Sequence, residues 1–117
     1  MNNLGYLYQS GHGVAQDYTQ ARQWYEKAAT AGNTAAMNNL GILYQSGLGV
    51  SLDYAKARGL FEKAAAAGNT TAMTSLGHLY ERGQGVAQDY TQARLRYEKA
   101  AAAGNPVAKA NLEKLPK

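Results

Sequence analysis

The chain has 117 residues, 45% of them hydrophobic, and a formal net charge of +4. It contains no cysteine, which excludes a disulfide framework, a thiolate metal site and a cysteine nucleophile. It has no run of about 18 or more apolar residues, so no membrane insertion is expected, and its first ten residues lack the basic and apolar regions of a signal peptide.

A 36-residue repeat runs through the chain and is the strongest feature of the sequence. It predicts three units, at about residues 1–33, 34–69 and 70–105, and a C-terminal capping helix at 106–115. Each unit carries Leu-Gly, Gly-x-Gly-Val, Asp-Tyr, Lys-Ala-Ala and Ala-Gly-Asn at the same spacing. A unit this small cannot bury its apolar faces alone, so we expect stacking of neighbouring units to bury them.

Helix A, the first predicted helix of a unit, runs from about Thr34 to Ser46 in the middle unit. Asn33 is placed to cap it, because its side-chain oxygen can accept an unpaired backbone N–H of the first turn. Gly47 follows, where a left-handed residue is favoured. Four apolar side chains share one helical face: Met37, Leu40, Leu43 and Tyr44.

Helix B follows the glycine-rich turn at residues 47–50. Asp53 is predicted to begin it, because negative charge stabilises a helix N-terminus, and Gly68 to end it. Its apolar stripe comprises Tyr54, Ala57, Phe61, Ala64 and Ala65.

The glycines inside helix A, Gly5, Gly41 and Gly77, each cost about 1 kcal/mol relative to alanine. We expect helix B to pack so closely at these positions that a Cβ atom would clash. The capping helix has Glu113 at the equivalent position, and no helix B follows it. The glycine is therefore predicted to be needed only where a helix B is present.

The string A-x-x-x-L-G-x-x-Y-x-x-G-x-G-V-x-x-D-Y, closed by K-A-A-x-x-G, resembles the Sel-1-like repeat, a relative of the tetratricopeptide repeat. The resemblance implies an all-α fold, a right-handed α/α solenoid of three helix-turn-helix repeats with a capping helix. Two departures stand out. The family's Trp is present as Trp24 but is replaced by Leu60 and Arg96 in later units, and the first unit lacks the opening residues of helix A. The second departure predicts either a fragment of a longer repeat protein or an abrupt natural start.

Members of this family serve as adaptors or scaffolds, so the resemblance implies protein–protein interaction and no enzymatic activity. In tetratricopeptide-like stacks helix A lines a concave groove, and the helix-A positions that differ between units, with the polar ones beside them, are expected to bind a peptide or protein segment. They are Asn2, Asn3, Tyr6, Gln9, Asn38, Asn39, Ile42, Gln45, Thr74, His78, Glu81 and Arg82. The alternative is that some of these residues merely solvate a helix. A second variable stripe lies on helix B, and Trp24 there is either a binding residue or packs under the first repeat.

No catalytic cluster, metal-ligand spacing or cofactor motif is present, so neither metal nor cofactor is expected. The two histidines, His12 and His78, occupy different repeat positions. Basic residues after Met73 could meet an acidic partner, but they form no continuous track, so nucleic acid is not expected. The rival function is a structural spacer that self-associates through its end repeats.

Overall fold

The computed structural model describes residues 18–115, and these form six α-helices and no strand. In chain order they are α1 (Tyr18–Thr30), α2 (Thr34–Ser46), α3 (Tyr54–Ala66), α4 (Thr70–Arg82), α5 (Tyr90–Ala102) and α6 (Pro106–Lys114). Helices α1, α3 and α5 are the B helices of the three units, α2 and α4 are A helices, and α6 is the cap. The predicted helix A of the first unit, with Gly5, lies outside the described residues. The all-helical repeat fold is confirmed.

Side-chain caps set where the helices begin. Asn33 and Asn69 each accept a backbone N–H at 2.9 Å, and Asp53 accepts the N–H of Lys56 at 3.0 Å. Gly47 adopts the predicted left-handed conformation at φ 67° directly after α2. Helix α3 ends at Ala66, slightly before the predicted Gly68, which has a φ of 95°. Local capping chemistry therefore accounts for nearly every helix boundary.

Each core cluster extends from one unit into the next. Tyr25 of α1 is buried with Leu40 and Leu43 of α2. Phe61 of α3 is buried with Leu76 and Leu79 of α4, and α5 meets α6 in the same way. Because each B helix completes its apolar contacts with the next A helix, a single unit is not a stable body.

Within a unit, helix A and helix B pack closely at a glycine of helix A. A Cβ atom on Gly41 of α2 would lie 2.5 Å from the Phe61 ring of α3. A Cβ on Gly77 would overlap the Tyr97 ring of α5 in the same manner. Glu113, at the equivalent position of α6, is exposed. The close packing predicted from the sequence is therefore present in both described pairs.

The turn of one unit touches the preceding unit. Gly49 has a φ of 74°, and a Cβ on it would lie 2.5 Å from the backbone of Tyr18, the first residue of α1. Gly85 approaches Tyr54, the first residue of α3, in the same way. A Cβ atom added to Gly85 would lie 2.7 Å from the Cβ atom of Tyr54. In both described turns, the second glycine thus permits the close approach of two units in addition to reversing the chain.

Candidate functional site

The helix-A face, defined by the predicted binding residues, is only partly described. Asn2, Asn3, Tyr6 and Gln9 lie outside residues 18–115. Eight predicted residues remain on α2 and α4: Asn38, Asn39, Ile42, Gln45, Thr74, His78, Glu81 and Arg82. They share one side of these helices, but their accessibility differs widely.

Two of these residues do not face solvent, which corrects the sequence-based expectation. Asn38 is 4% exposed and Thr74 is 5% exposed. Asn38 accepts a hydrogen bond from the Ser75 hydroxyl at 3.0 Å, and Thr74 donates to the carbonyl of Thr70 at 3.1 Å. Asn38 is thus used between two A helices, Thr74 bonds within its own helix, and neither presents more than a small surface to a partner.

The next positions are half-buried and also take part in contacts between units. Ile42 packs against the cluster that contains Phe61. The Gln45 amide donates to the side-chain oxygen of Gln84 at 3.1 Å. Gln84 belongs to the turn of the following unit, and its own amide reaches the Tyr54 hydroxyl at 3.5 Å. Asn39 is half-buried as well.

His78 and Glu81 belong to a polar cluster that links α4 to the last two helices. The Nε2 atom of His78 lies 3.2 Å from the Asn111 amide of α6, and the Tyr97 ring meets the imidazole edge-on at 5.8 Å. The Tyr97 hydroxyl donates to Glu81 at 2.7 Å. Burial, reinforced by the charge of Arg82, lowers the pKa of His78, so this imidazole is neutral at neutral pH. Burial and the neighbouring carboxylate raise the pKa of Tyr97.

Arg82 is exposed at the end of α4, in contrast to the seven other described residues. Three residues that were not among the predicted binding residues also contact this face, namely Ser75, Gln84 and Asn111. Asn39, Ser75 and Asn111 occupy one repeat position and are polar in each unit. That regularity was the available signal that this position serves contacts between neighbouring A helices.

An open cleft lies on the opposite side of α2, between α1 and α3, and is here called the first cleft. Its volume is about 320 Å³. Helix α2 supplies an apolar floor of Met37, Leu40 and Tyr44, and Leu60 of α3 extends that floor. Lys56 and Lys63 of α3 line one wall. Residues 37, 40 and 44 point away from residues 38, 42 and 45 on an α-helix, so the cleft and the helix-A face are separate surfaces.

A second cleft, of about 400 Å³, repeats the first one unit further along. Its lining residues Met73 and Lys99 are the repeat equivalents of Met37 and Lys63. Arg96 replaces Leu60, and its guanidinium lies 5.8 Å from the centre of the Tyr80 ring. The variable helix-B stripe noted in the sequence therefore changes the chemistry of a repeated cleft.

Trp24 occupies the same repeat position as Leu60 and Arg96. It is half-buried on α1, and the Lys27 ammonium lies 4.8 Å from its ring centre. An aromatic ring with a cation over one face retains only part of its surface for other contacts.

Within residues 18–115 no three histidine or acidic side chains come together in an arrangement that could hold a metal ion. None of the described helices has the length and apolar character needed to cross a membrane.

Comparisons with known proteins agree with this architecture. The family model described as Sel1 repeat matches residues 1–33, 34–69 and 70–105, the three units predicted from the sequence. No curated protein matches the chain.

Several solved structures share the fold. A protective antigen of uropathogenic Escherichia coli with an SLR fold aligns at a TM-score of 0.86 and 44% identity over 92% of this chain. A Sel1 repeat protein from Oxalobacter formigenes aligns at 0.84 and 37% identity over 95% of this chain. Cysteine rich protein B of Helicobacter pylori aligns at 0.78 and 25% identity over 95% of this chain and 86% of its own length.

The chain spans only 23% of the Escherichia coli antigen and 46% of the Oxalobacter protein. These relatives are all bacterial, and each is built from the helical repeat seen here. Sel1 repeats form a scaffold that is not enzymatic and that generally mediates protein–protein interaction. With its three family matches and its helical units of matching length, the chain belongs to the Sel1 repeat family.

Proposed function

We propose that this chain is a protein-binding scaffold that holds a segment of a partner protein along the helix-A face. The observation that carries the proposal is the hydrogen bonding between successive A helices. Asn38 bonds to Ser75 between α2 and α4, and His78 contacts Asn111 between α4 and α6. These bonds tie successive A helices together before a partner arrives, which reduces the entropy lost on binding.

The chemistry along this face differs between units, as expected where it selects a partner. Ile42 is apolar, whereas its repeat equivalent His78 is a neutral imidazole. Ser46 is replaced one unit later by Arg82, which adds an exposed positive charge. A bound segment would therefore meet an apolar contact near the middle unit and a cationic contact near the third.

The test is a peptide-library pull-down with the full chain, comparing wild type with Arg82→Glu. Reversing the one exposed charge on the described face should weaken the affinity for the captured peptides by about tenfold or select peptides of opposite charge. Lys109→Glu is the matched control. Lys109 is exposed on α6 at the repeat position of Met37 and Met73, which face the clefts.

Capture that is unchanged by Arg82→Glu and also by His78→Ala would contradict the proposal. Light scattering on the same samples distinguishes the rival function. Oligomers that grow with concentration, combined with no peptide capture, would favour a self-associating spacer and would also contradict partner binding on this face.

A further inference from the structure

We propose that the first cleft, between α1 and α3, is a second docking surface that takes a protein segment with one bulky apolar side chain next to carboxylates. The proposal concerns a different face from the one above and does not depend on it. It rests on the shape of the cleft, its unbalanced charge and the repeated cleft one unit away.

The floor of the first cleft matches an apolar side chain. Met37, Tyr44 and Leu60 line it, and all three are half-buried, so each keeps some surface open to solvent. The volume of about 320 Å³ is at the lower end of the range typical of ligand sites, roughly 300–1,000 Å³. Such a cleft accommodates one bulky side chain and leaves the rest of the segment at the rim.

The rim carries an excess of positive charge. Lys63 is exposed and forms no ion pair within the described part of the chain. Lys56 is also exposed, and its ammonium lies 5.3 Å from the centre of the Tyr44 ring. The acidic residue of the cleft, Glu26, is held by Arg22 at 3.0 Å, which offsets its charge locally. Carboxylates beside the apolar side chain would therefore be attracted to this wall.

The second cleft shows what would abolish such a site. Its wall retains Lys99 at the position of Lys63, but Arg96 stands in the place of Leu60. The Arg96 guanidinium lies 5.8 Å from the centre of the Tyr80 ring, whereas Leu60 and the equivalent Tyr44 ring pack against the same apolar cluster. The repeat position of Leu60 is therefore apolar in the first cleft and cationic in the second, and only the first offers an apolar contact there.

The experiment uses synthetic peptides of about eight residues in which a central Phe is flanked by Glu, with Ala-centred and Lys-flanked versions as comparisons. Binding to the full chain is followed by amide chemical shifts in NMR titrations. The Glu-flanked Phe peptide should shift amides around Met37 and Leu60. The Ala-centred and Lys-flanked peptides should bind at least about tenfold more weakly.

Leu60→Arg places in the first cleft the residue type that the second cleft has at this repeat position. It should weaken binding of the Glu-flanked Phe peptide by about tenfold or more. Lys63→Glu should lower the affinity for that peptide and raise the affinity for the Lys-flanked one. A misfolded variant would not show such a gain. Lys99→Glu, at the same repeat position in the second cleft, should change either affinity by less than about twofold. Arg82→Glu should leave binding in the first cleft intact, so this proposal and the helix-A proposal fail separately.

Three results would overturn the inference. The first is equal binding of all peptides. The second is equal binding by wild type and Leu60→Arg. The third is a set of shifts confined to the helix-A face.

Discussion

At the scale of single residues, His78 shows how the fold controls the state of a side chain on the helix-A face. Burial lowers its pKa below the ordinary value of 6.5, the nearby Arg82 lowers it further, and Glu81 opposes this in part. Tyr97 of α5 and Asn111 of α6 pack against the same ring. The neutral imidazole is therefore the form that this cluster accommodates.

We predict that stability falls as His78 is forced to take a proton. Because the folded-state pKa lies below 6.5, the unfolded chain binds the proton first as the pH decreases. The contribution of His78 is therefore complete above about pH 6.5 and is lost as the pH falls through the folded-state pKa. Urea unfolding at about pH 7.5 and about pH 5.5 measures the effect.

The control for this prediction is His78→Gln, which keeps a hydrogen-bond acceptor for Asn111 but does not titrate. Its free energy of unfolding should depend less on pH than that of wild type. Both proteins retain His12, so that residue does not affect the comparison. An identical pH dependence in the two proteins would show that burial does not shift the proton equilibrium of His78.

The residue scale is also where the sequence was least informative about the site. Asn38 and Thr74 are polar and occur on the predicted face, yet both are buried. A polar residue opposite a helix's core stripe looks the same in sequence whether it meets water or the next helix. Only the burial of both side chains and the bond of Asn38 to Ser75 of the next A helix distinguish the two situations.

At the scale of elements, the helix boundaries were predictable from the sequence because they depend on local chemistry. The predicted limits of α2, Thr34 and Ser46, are those observed. Asn33, Asp53 and Gly47 act through backbone atoms only a few residues away, and such contacts are visible in a short stretch of sequence. The close pairing of α2 with α3 was predictable too, since a glycine within a helix needs a packing reason.

We predict that Gly41→Leu overpacks the pair α2 and α3 and lowers the free energy of unfolding by about 1–3 kcal/mol. Even a single Cβ atom would lie 2.5 Å from the Phe61 ring, which is fully buried and has no free space to enter. Thermal and chemical denaturation followed by circular dichroism measures the change.

The chain offers a matched control in Gly59, which is also inside a helix. It is exposed on α3, with nothing within 4 Å of an added Cβ, and the third unit carries Leu95 at the same repeat position. Gly59→Leu should therefore raise stability by about 0.5–1 kcal/mol through helix propensity alone. If both substitutions changed stability in the same direction, close packing between α2 and α3 would not be the reason for glycine at position 41.

At the scale of the whole molecule, stability is shared between units. Described residues form an elongated body with principal extents of 44, 27 and 23 Å, and each core cluster joins a B helix to the next A helix. Helix α6 closes the last cluster through Ala108, which is fully buried beside Tyr97 and Ala100. In such a stack each unit is stable only while its neighbour remains in place.

We predict that Ala108→Glu removes this cap and lowers the free energy of unfolding by about 2 kcal/mol or more, because a carboxylate would be placed in an apolar cluster. Hydrogen exchange should then show α5 losing protection before α2 does, since the damage spreads from the nearer unit. Ala110→Glu, on the exposed side of the same helix, should change stability by less than about 0.5 kcal/mol. Uniform loss of protection across the helices would mean that the stack unfolds as one unit.

The clefts mark the limit of sequence prediction at this scale. The variation from Trp24 to Leu60 to Arg96 was visible in the sequence, but its effect depends on how far apart neighbouring B helices stand. That spacing follows from packing between units, and no single unit encodes it. The shape of the clefts thus required the structure, whereas the repeat that generates them did not.

The loops that follow the B helices and the loops that follow the A helices differ in how well they can accommodate inserted residues. The glycines that lead from a B helix to the next A helix, Gly32, Gly68 and Gly104, have nothing within 4 Å of an added Cβ. Gly49 and Gly85, in the other loops, press against Tyr18 and Tyr54 of the preceding unit. Extra residues are therefore tolerated along one edge of the array, whereas lengthening the opposite edge would wedge the units apart and alter the curvature of the whole superhelix.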